Sequence, residues 1–576
     1  MNSVWIILIS FAAFWAAYRF YGNFIAKKVF HVNPKNPVPS EELRDDVDYI
    51  PTNKEVLFGH HFASIAGTGP IVGPAIAVIW GWVPALVWII FGSIFAGAVH
   101  DYAALIISTR KRGVSIGELS REVINPRVRM LFLFVILFAL WIVVAIFGMI
   151  IAVIFKLYPQ SVFPVWIQIP IAVTVGWLAY KRNFNMTVMS VIAVVLMYAA
   201  IIIGVNMPFS MPSFLGLTPM SIWIILLFIY AYIASVLPVW SLLQPRDYVN
   251  SHQLVIGLAL IVFGVIAAHP NMVAPAVQFS PKGAPPMLPF LFITIACGAI
   301  SGFHSLVSSG TTSKQLKNEG DIRLIGYGGM LTEGFLGVLV VVAVGAGIGM
   351  YVKTNNGEIL RGLVAWQYHY SSWGAAEGLA AKVGAFVNGT SNMLGAIGIP
   401  IKYGQAIVGV LIASFAGTTL DTATRIQRYV ITELAGDYKV KILKNRYAAT
   451  FAAVLSAAVL AFAQGSGQGA LLLWPLFGTS NQLLAGLVLL VATVYLLRKE
   501  RTKVKKAWGR VCTTAVPMLF MIVTSSWAML INLALFFRSN QWHLVVIGAL
   551  MVLLEIWMIG EAILCIRASD ERRTIH

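Results

Sequence analysis

The sequence predicts an all-α, multi-pass integral membrane protein with about fifteen transmembrane helices. Three observations carry that prediction. The chain of 576 residues is 59% hydrophobic and only 11% charged, far too little charge for a water-exposed surface of this size. Apolar runs of roughly 20 residues, the length that crosses a bilayer, recur from one end to the other. Lysine and arginine collect in alternate loops, the charge signature of membrane topology.

Taken in order, the spans fall near 4–25, 60–80, 82–109, 129–155, 164–180, 185–204, 219–241, 253–269, 288–313, 325–350, 403–435, 447–464, 470–497, 513–535 and 543–566. The first has no basic segment ahead of its apolar run, so it reads as an uncleaved helix and not as a signal peptide. Between spans lie the mixed-charge loop 27–58, the basic loop "RKRGVSIGELSREVINPRVR" and the uncharged "NMPFSMPSFLGLTP". Two longer polar or amphipathic stretches lie around 270–287 and 351–402. The second contains "AAEGLAAKVGAFVNGTSNMLGAIG", expected as a helix at the surface or re-entering the membrane. Cys297, Cys512 and Cys565 have no paired spacing and read as core residues, with no disulfide framework and no metal knuckle.

The net charge of +18 would suit a nucleic-acid binder, but its placement does not. Arg110–Arg112, Lys181–Arg182 and "RKERTKVKKAWGR" fall on one side of the alternating loops, with most of the 41 basic residues. The other side keeps only Lys156, Lys282, Lys353, Arg361, Lys382, Lys402 and Arg538. The basic side is therefore cytoplasmic, with the N-terminus outside and the C-terminus inside, and no nucleic-acid partner is expected.

Several spans break the rules of a lipid-facing helix. In "GTGPIVGP", Gly67, Gly69 and Gly73 tolerate unwound backbone, while Pro70 and Pro74 each remove a helix hydrogen bond. One proline would fit a packing kink; this density fits a ligand-facing break at membrane depth. The span "YAYIASVLPVWSLLQPRDYVN" holds Pro238 and Pro245, with Ser235, Trp240 and Gln244 as polar or aromatic edges. The two segments are five spans apart and oppositely oriented, which predicts an inverted five-plus-five repeat with discontinuous leading helices. The transporter core then covers 59–436, as repeats 59–205 and 219–436. It follows a first helix and loop in 1–58 and precedes further helices in 437–576.

Ionisable and hydroxyl groups inside spans are costly and therefore informative. His60, His61, His100 and His304 are candidates to carry protons, with Asp101 beside His100. His100–Asp101 reads as a proton relay or, with a slight preference, as a buried tether, and nothing in the histidine spacing is metal-specific. Glu333 lies within another span. Asp421 is either a coupling group or the partner of Arg425 one turn on. Ser308, Ser309, Thr311 and Thr312 cluster at one helix end, as sodium ligands or as hydroxyls bonded back to helix carbonyls. "WPLFGTSNQLLAGLVLL" interrupts a late span and reads as a packing element. No HExxH, GxSxG or Walker lysine is present, so no enzyme and no cofactor is predicted.

These strings resemble the carbon starvation protein A family. The resemblance runs through "DYIPTNKEVLFGHHFASIAGTGPIVGPAIA", "GAVHDYAALIISTRKRGVSIGEL", "YAYIASVLPVWSLLQPRDYVN", "ISGFHSLVSSGTTSKQL", "FAGTTLDTATRIQRYV" and "WPLFGTSNQLLA". It implies an inner-membrane importer of peptides or pyruvate, similar to the amino acid–polyamine–organocation transporters with their leucine-transporter-like core. The expected mechanism is alternating access. Gly67, Thr68, Gly69 and Gly73 would meet Ser235, Trp240 and Gln244 around a substrate carboxylate. Protons are the first expectation for the driving ion and sodium the second. The residues do not distinguish pyruvate from peptides and say nothing of oligomeric state.

Overall fold

The computed structural model describes the backbone of every residue except 355, 464, 466, 468, 500–503 and 575–576; side chains are described except at those positions, 472, 504–508 and 568–574. Part of the basic stretch 498–510 therefore lies outside the described residues. The chain is helical throughout, and among the described residues the one sheet is a short antiparallel ribbon, Val352–Lys353 with Ile359–Leu360.

Helix α1 is Ser3–Val29. Helices α2 (Lys54–Ala66) and α3 (Gly69–Trp80) form one bent pair. Then follow α4 (Trp82–Arg110), α5 (Pro126–Leu157), α6 (Pro159–Arg182), α7 (Met186–Asn206), α8 (Pro219–Val236) and α9 (Leu243–Ala268). A second split segment comprises α10 (Met287–Thr294) and α11 (Gly302–Gly310). The rest are α12 (Glu319–Met350), α13 (Leu379–Gly395), α14 (Ile401–Asp437), α15 (Arg446–Ala461), α16 (Trp474–Lys499), α17 (Gly509–Arg538) and α18 (Trp542–Arg567).

Every predicted span coincides with a helix, but fewer are spans by length and composition. Among the described residues 12 helices qualify, or 13 with the bent pair. Helix α15 is too short, and α10 and α11 are only 8 and 9 residues long.

Local chemistry explains the helix ends. Asn125 and Thr218 accept from the amides of Val128 and Ser221, and Pro126 and Pro219 follow, where no N–H is needed. Exposure is inverted relative to a soluble protein. Trp5, Phe11, Trp15 and Phe20 on α1 and Val546, Leu553 and Ile556 on α18 face outward, as lipid requires. Helices α12, α14 and α16 are buried, and one apolar cluster runs from Ile6 to Ala562.

Four expectations change. Helix α8 ends at Val236, so Pro238 lies in the turn before α9 and breaks no span. Pro475 sits in the first turn of α16, whose polar run belongs to a continuous helix. Helix α13 is buried against α3, α9 and α14, so it is not a surface helix. Cys512 is exposed and no core residue.

Candidate functional site

The break in the first discontinuous helix is confined to Gly67 and Thr68. Gly67 has φ 38° and ψ −146°, a conformation that side chains forbid, and the two halves bend by 44°. Pro70 lies in the first turn of α3, where its missing N–H costs little, while Pro74 lies inside that helix. The break is filled by protein. A Cβ on Gly67 would meet Thr419 Oγ1 at 2.9 Å and Phe147 at 3.1 Å. One on Gly69 would meet Cys297 Cβ and Sγ at 2.3 Å, and one on Gly73 the Thr294 carbonyl at 2.3 Å. Pro70 offers no amide, and the amides of Ile71 and Val72 donate to the Thr68 carbonyl. Gly69 and Gly73 thus serve close packing, and the amides of Ile71 and Val72 are used within the helix.

Those contacts identify the second break. It is the interval between α10 and α11, residues 295–301, against which Gly69 and Gly73 pack. The segment 237–242 near Pro238 does not play this part. Helix α16 splints this break. Asn481 Oδ1 accepts from the Phe303 amide at 2.9 Å, at the start of α11, and its Nδ2 donates to Ser301 Oγ at 2.9 Å. Gln482 Nε2 donates to the Phe292 carbonyl at 2.5 Å, near the end of α10. The late polar run "GTSNQ" is therefore the cap of a broken helix, a partnership only the fold reveals.

Two buried charge networks flank α2. In the first, Asp101 on α4 accepts from His100 Nδ1 at 2.8 Å and from His304 Nδ1, on α11, at 2.9 Å. His304 Nε2 lies 3.2 Å from Glu333 Oε2, on α12, near enough for an ion pair though not aligned as a hydrogen bond. All four side chains are wholly buried. With Nδ1–H committed to Asp101, His304 presents Nε2 to Glu333, and one proton can rest on either side of that gap. His61 Nδ1 lies 2.9 Å from Thr312 Oγ1, which joins α2 to the segment after α11.

The second network centres on Arg246 of α9. Its guanidinium donates to Asp247 Oδ1 at 2.6 Å and to both oxygens of Asp421 on α14, with Nη2 to Oδ1 at 3.2 Å. Tyr230 of α8 accepts from Arg246 and donates to Asp421 at 2.8 Å. His60 Nδ1 meets Asp247 Oδ2 at 2.6 Å. Thr418 donates to Asp247 at 3.2 Å and accepts from Asn250, which is bonded to Gln168. Of the adjacent residues of one helix, His60 thus enters the Arg246 network, while His61 is tied to Thr312 after α11.

Asp421 does not pair with Arg425. Arg425 reaches Asp48 at 2.9 Å and the carbonyls of Ala234 and Leu237, at the end of α8. Tyr429 also donates to Asp48, at 2.7 Å. The segment around Asp48 is a strap across the helix ends: Val239 N–H donates to the Val47 carbonyl, and Thr52 N–H to the Gln315 carbonyl. Burial alone would raise the Asp48 carboxyl, but Arg425, Lys314, Arg428 and the Tyr429 hydroxyl hold it below the ordinary carboxylate value.

The remaining predicted residues fall outside both networks. Gln244 is saturated by Thr52, Gln315 and Tyr180, beneath the strap. Trp240 stands at a half-buried position beside Lys181 and Tyr180, and Ser235 is buried without a side-chain partner among the described residues. Ser309 and Thr311 donate to the carbonyls of Ser305 and Val307, and Thr312 is taken by His61; only Ser308 keeps an unpartnered hydroxyl. Among the described residues no group of three or more His, Cys, Asp or Glu side chains is placed to hold a metal. Sequence reasoning missed Arg246, Asp247 and Tyr230; the charged pair in "LQPRDYVN" was the available signal, and it lies at the start of α9, which begins ahead of the predicted span 253–269.

The family model for carbon starvation protein CstA matches residues 2–528. The peptide transporter CstA of Mycobacterium tuberculosis (strain H37Rv) is 35% identical, over 92% of this chain and 75% of that one. The peptide transporter CstA of Bacillus subtilis is 34% identical, over 92% and 90%. The pyruvate/proton symporter BtsT of Escherichia coli K12 is 33% identical, over 94% and 83%. Among solved structures, a histidine-to-alanine mutant of the manganese transporter of Eremococcus coleocola aligns with a TM-score of 0.51 at 14% identity, over 92% of this chain and 99% of that one. It shares the fold.

Proposed function

The chain belongs to the carbon starvation protein CstA family, and from that premise we propose that it imports pyruvate or short peptides across the inner membrane by proton-driven alternating access. The observation that carries the proton is His304, wholly buried and held between the carboxylates of Asp101 and Glu333. These groups change charge by protonation alone, and burial makes each change costly enough to bias a conformational equilibrium. The relative named a pyruvate/proton symporter supports the same ion. Sodium stands second, because the relative named for its driving ion is a proton symporter.

The two broken helices are the moving parts in this reading. They touch at Gly69 and Gly73, and small residues there let one slide on the other. The distribution of basic residues puts the Asp48 strap at the cytoplasmic end, closed in this conformation.

The test is uptake of labelled pyruvate, with a dipeptide as competitor, into proteoliposomes under imposed proton or sodium gradients. Accumulation above equilibrium with an acid-outside gradient is expected, and none with sodium alone. Failure of both gradients to drive uptake of either compound defeats the proposal.

A further inference from the structure

Arg246 lies beside a cavity that the transport proposal leaves unused. The cavity measures about 30 Å³ and is lined by Ile151, Trp166, Gln168, Tyr230, Arg246 and Ser414. Beyond it, toward the start of α8, is a vestibule of about 360 Å³ whose walls include Phe155, Lys156, Ser210, Thr218 and Trp223. The two spaces are separated by aromatic rings. Trp223 of the vestibule stacks on Trp166 of the cavity with centroids 6.2 Å apart, and Trp166 meets Tyr230 edge-on at 6.2 Å. Phe155 and Ile151 are one turn apart on α5 and line the vestibule and the cavity respectively. The strap closes the opposite end of α8, at Ala234 and Leu237. A continuous line therefore runs from Lys156, through the tryptophan pair, to Arg246.

Charge bookkeeping says what belongs at its end. Arg246 brings one positive charge; Asp247 and Asp421 bring two negative charges; His60 is titratable. The set is neutral only with one added proton, and buried charge in a membrane protein demands near-neutrality. Asp421 and Asp247 differ in their ties. Asp247 is adjacent to Arg246 in sequence and is also held by His60 and Thr418. Asp421 comes from a different helix, and its described hydrogen-bond partners are Arg246 and Tyr230, both of which line the cavity. It is the carboxylate that can leave.

We propose that Arg246 is the receptor for the substrate carboxylate, reached from the Lys156 vestibule through Trp166 and Trp223, and that Asp421 occupies the receptor until it is protonated. This rests on the proposed import of carboxylate-bearing solutes. Protonated Asp421 loses its hold on the guanidinium. The incoming carboxylate then forms the bidentate pair in its place, and Tyr230 and Gln168 supply neutral hydrogen-bonding groups. One proton arrives with one carboxylate, so the net charge of the network is unchanged. A cavity of about 30 Å³ holds no more than a water, so the exchange also requires the Tyr230 and Trp166 rings to move aside.

Pyruvate binding to purified protein by calorimetry, together with pyruvate counterflow in proteoliposomes, tests this. For the wild type, affinity should fall about tenfold per unit rise in pH once Asp421 is ionised, since one proton is linked to binding. Asp421→Asn should bind pyruvate with that pH dependence lost. Arg246→Gln alone leaves two buried carboxylates without their cation, so the informative variant is Arg246→Gln with Asp421→Asn, which restores the charge balance. It should keep the wild-type melting behaviour and lose pyruvate binding by about 100-fold, the scale of a buried charge-assisted pair. Wild-type affinity in the folded double variant overturns the Arg246 site and leaves the importer reading standing. Absence of uptake and binding in the wild type, for pyruvate and dipeptide alike, overturns both.

Discussion

What separates the two buried networks is an arginine. The Arg246 network contains a group that stays charged at every accessible pH, whereas the His304 network is made only of groups that titrate. A permanent cation that two carboxylates over-neutralise can trade one of them for a third. A chain of imidazoles and carboxylates has nothing to offer an anion, but it can move or store a proton. The surroundings agree: the Arg246 network, though buried as well, borders a cavity, while His100, Asp101, His304 and Glu333 have no exposed surface. Helix α2 enters the Arg246 network through His60 and, through His61 and Thr312, is tied to the segment after α11, the helix that carries His304.

The sharpest way to break this comparison is to disable one network and read the other. Glu333→Gln keeps the shape of the carboxyl but removes its charge. Proton-driven accumulation of pyruvate should disappear, while counterflow, which needs no net proton movement, should persist within a few-fold. Loss of both activities in a folded variant would mean the networks are one device, not two.

The packing at the break gives the next largest effect. Gly69→Ala places a methyl 2.3 Å from Cys297 Cβ and Sγ. The expected loss of about 1–3 kcal/mol, typical of overpacking, should appear as a lower melting temperature in detergent. Cys297→Gly removes the colliding atoms and should restore most of the loss; no restoration would show that Gly69 is needed for its backbone instead. At Gly67 the reverse holds. Its φ of 38° and ψ of −146° forbid a side chain, so Gly67→Ala should cost about 1–3 kcal/mol of melting stability through strain, and trimming Phe147 and Thr419 together should restore little of it.

The first break was legible because glycine and proline declare backbone freedom locally, and Gly67 carries the strain that the composition implied. Its neighbour was not. The interval 295–301 holds Gly298 but no proline, and its broken state depends on Asn481 and Gln482, almost two hundred residues later. Pro238 misled for a related reason: proline marks a helix end as readily as a break, and only the turn to Leu243 distinguishes them. The pairing of His100, Asp101 and His304 was anticipated as a group of residue types, without its geometry. Arg246 and Asp247 escaped because hydropathy places charged residues in loops, whereas a helix start buried against α2 and α14 can hold them once each has a partner.

The smallest expected effect tests whether the strap stands apart from both networks. Asp48 lies outside the spans, and Arg425, Lys314, Arg428 and Tyr429 hold its carboxyl low against the contrary pull of burial. A folded-state value below the unfolded one, which is about 3.9, contributes stability at higher pH that is lost as pH falls through the folded value. The wild-type melting temperature should therefore decline on acidification below about pH 4, the ordinary carboxylate range. Asp48→Asn should start lower at neutral pH and decline less across that window. Its pyruvate counterflow between neutral and mildly acidic pH should follow the wild-type profile, because Asp48 is already ionised there. A shifted profile would draw the strap into the titrating machinery and end the separation between a closing latch at one end of α8 and the charge networks in the protein's interior.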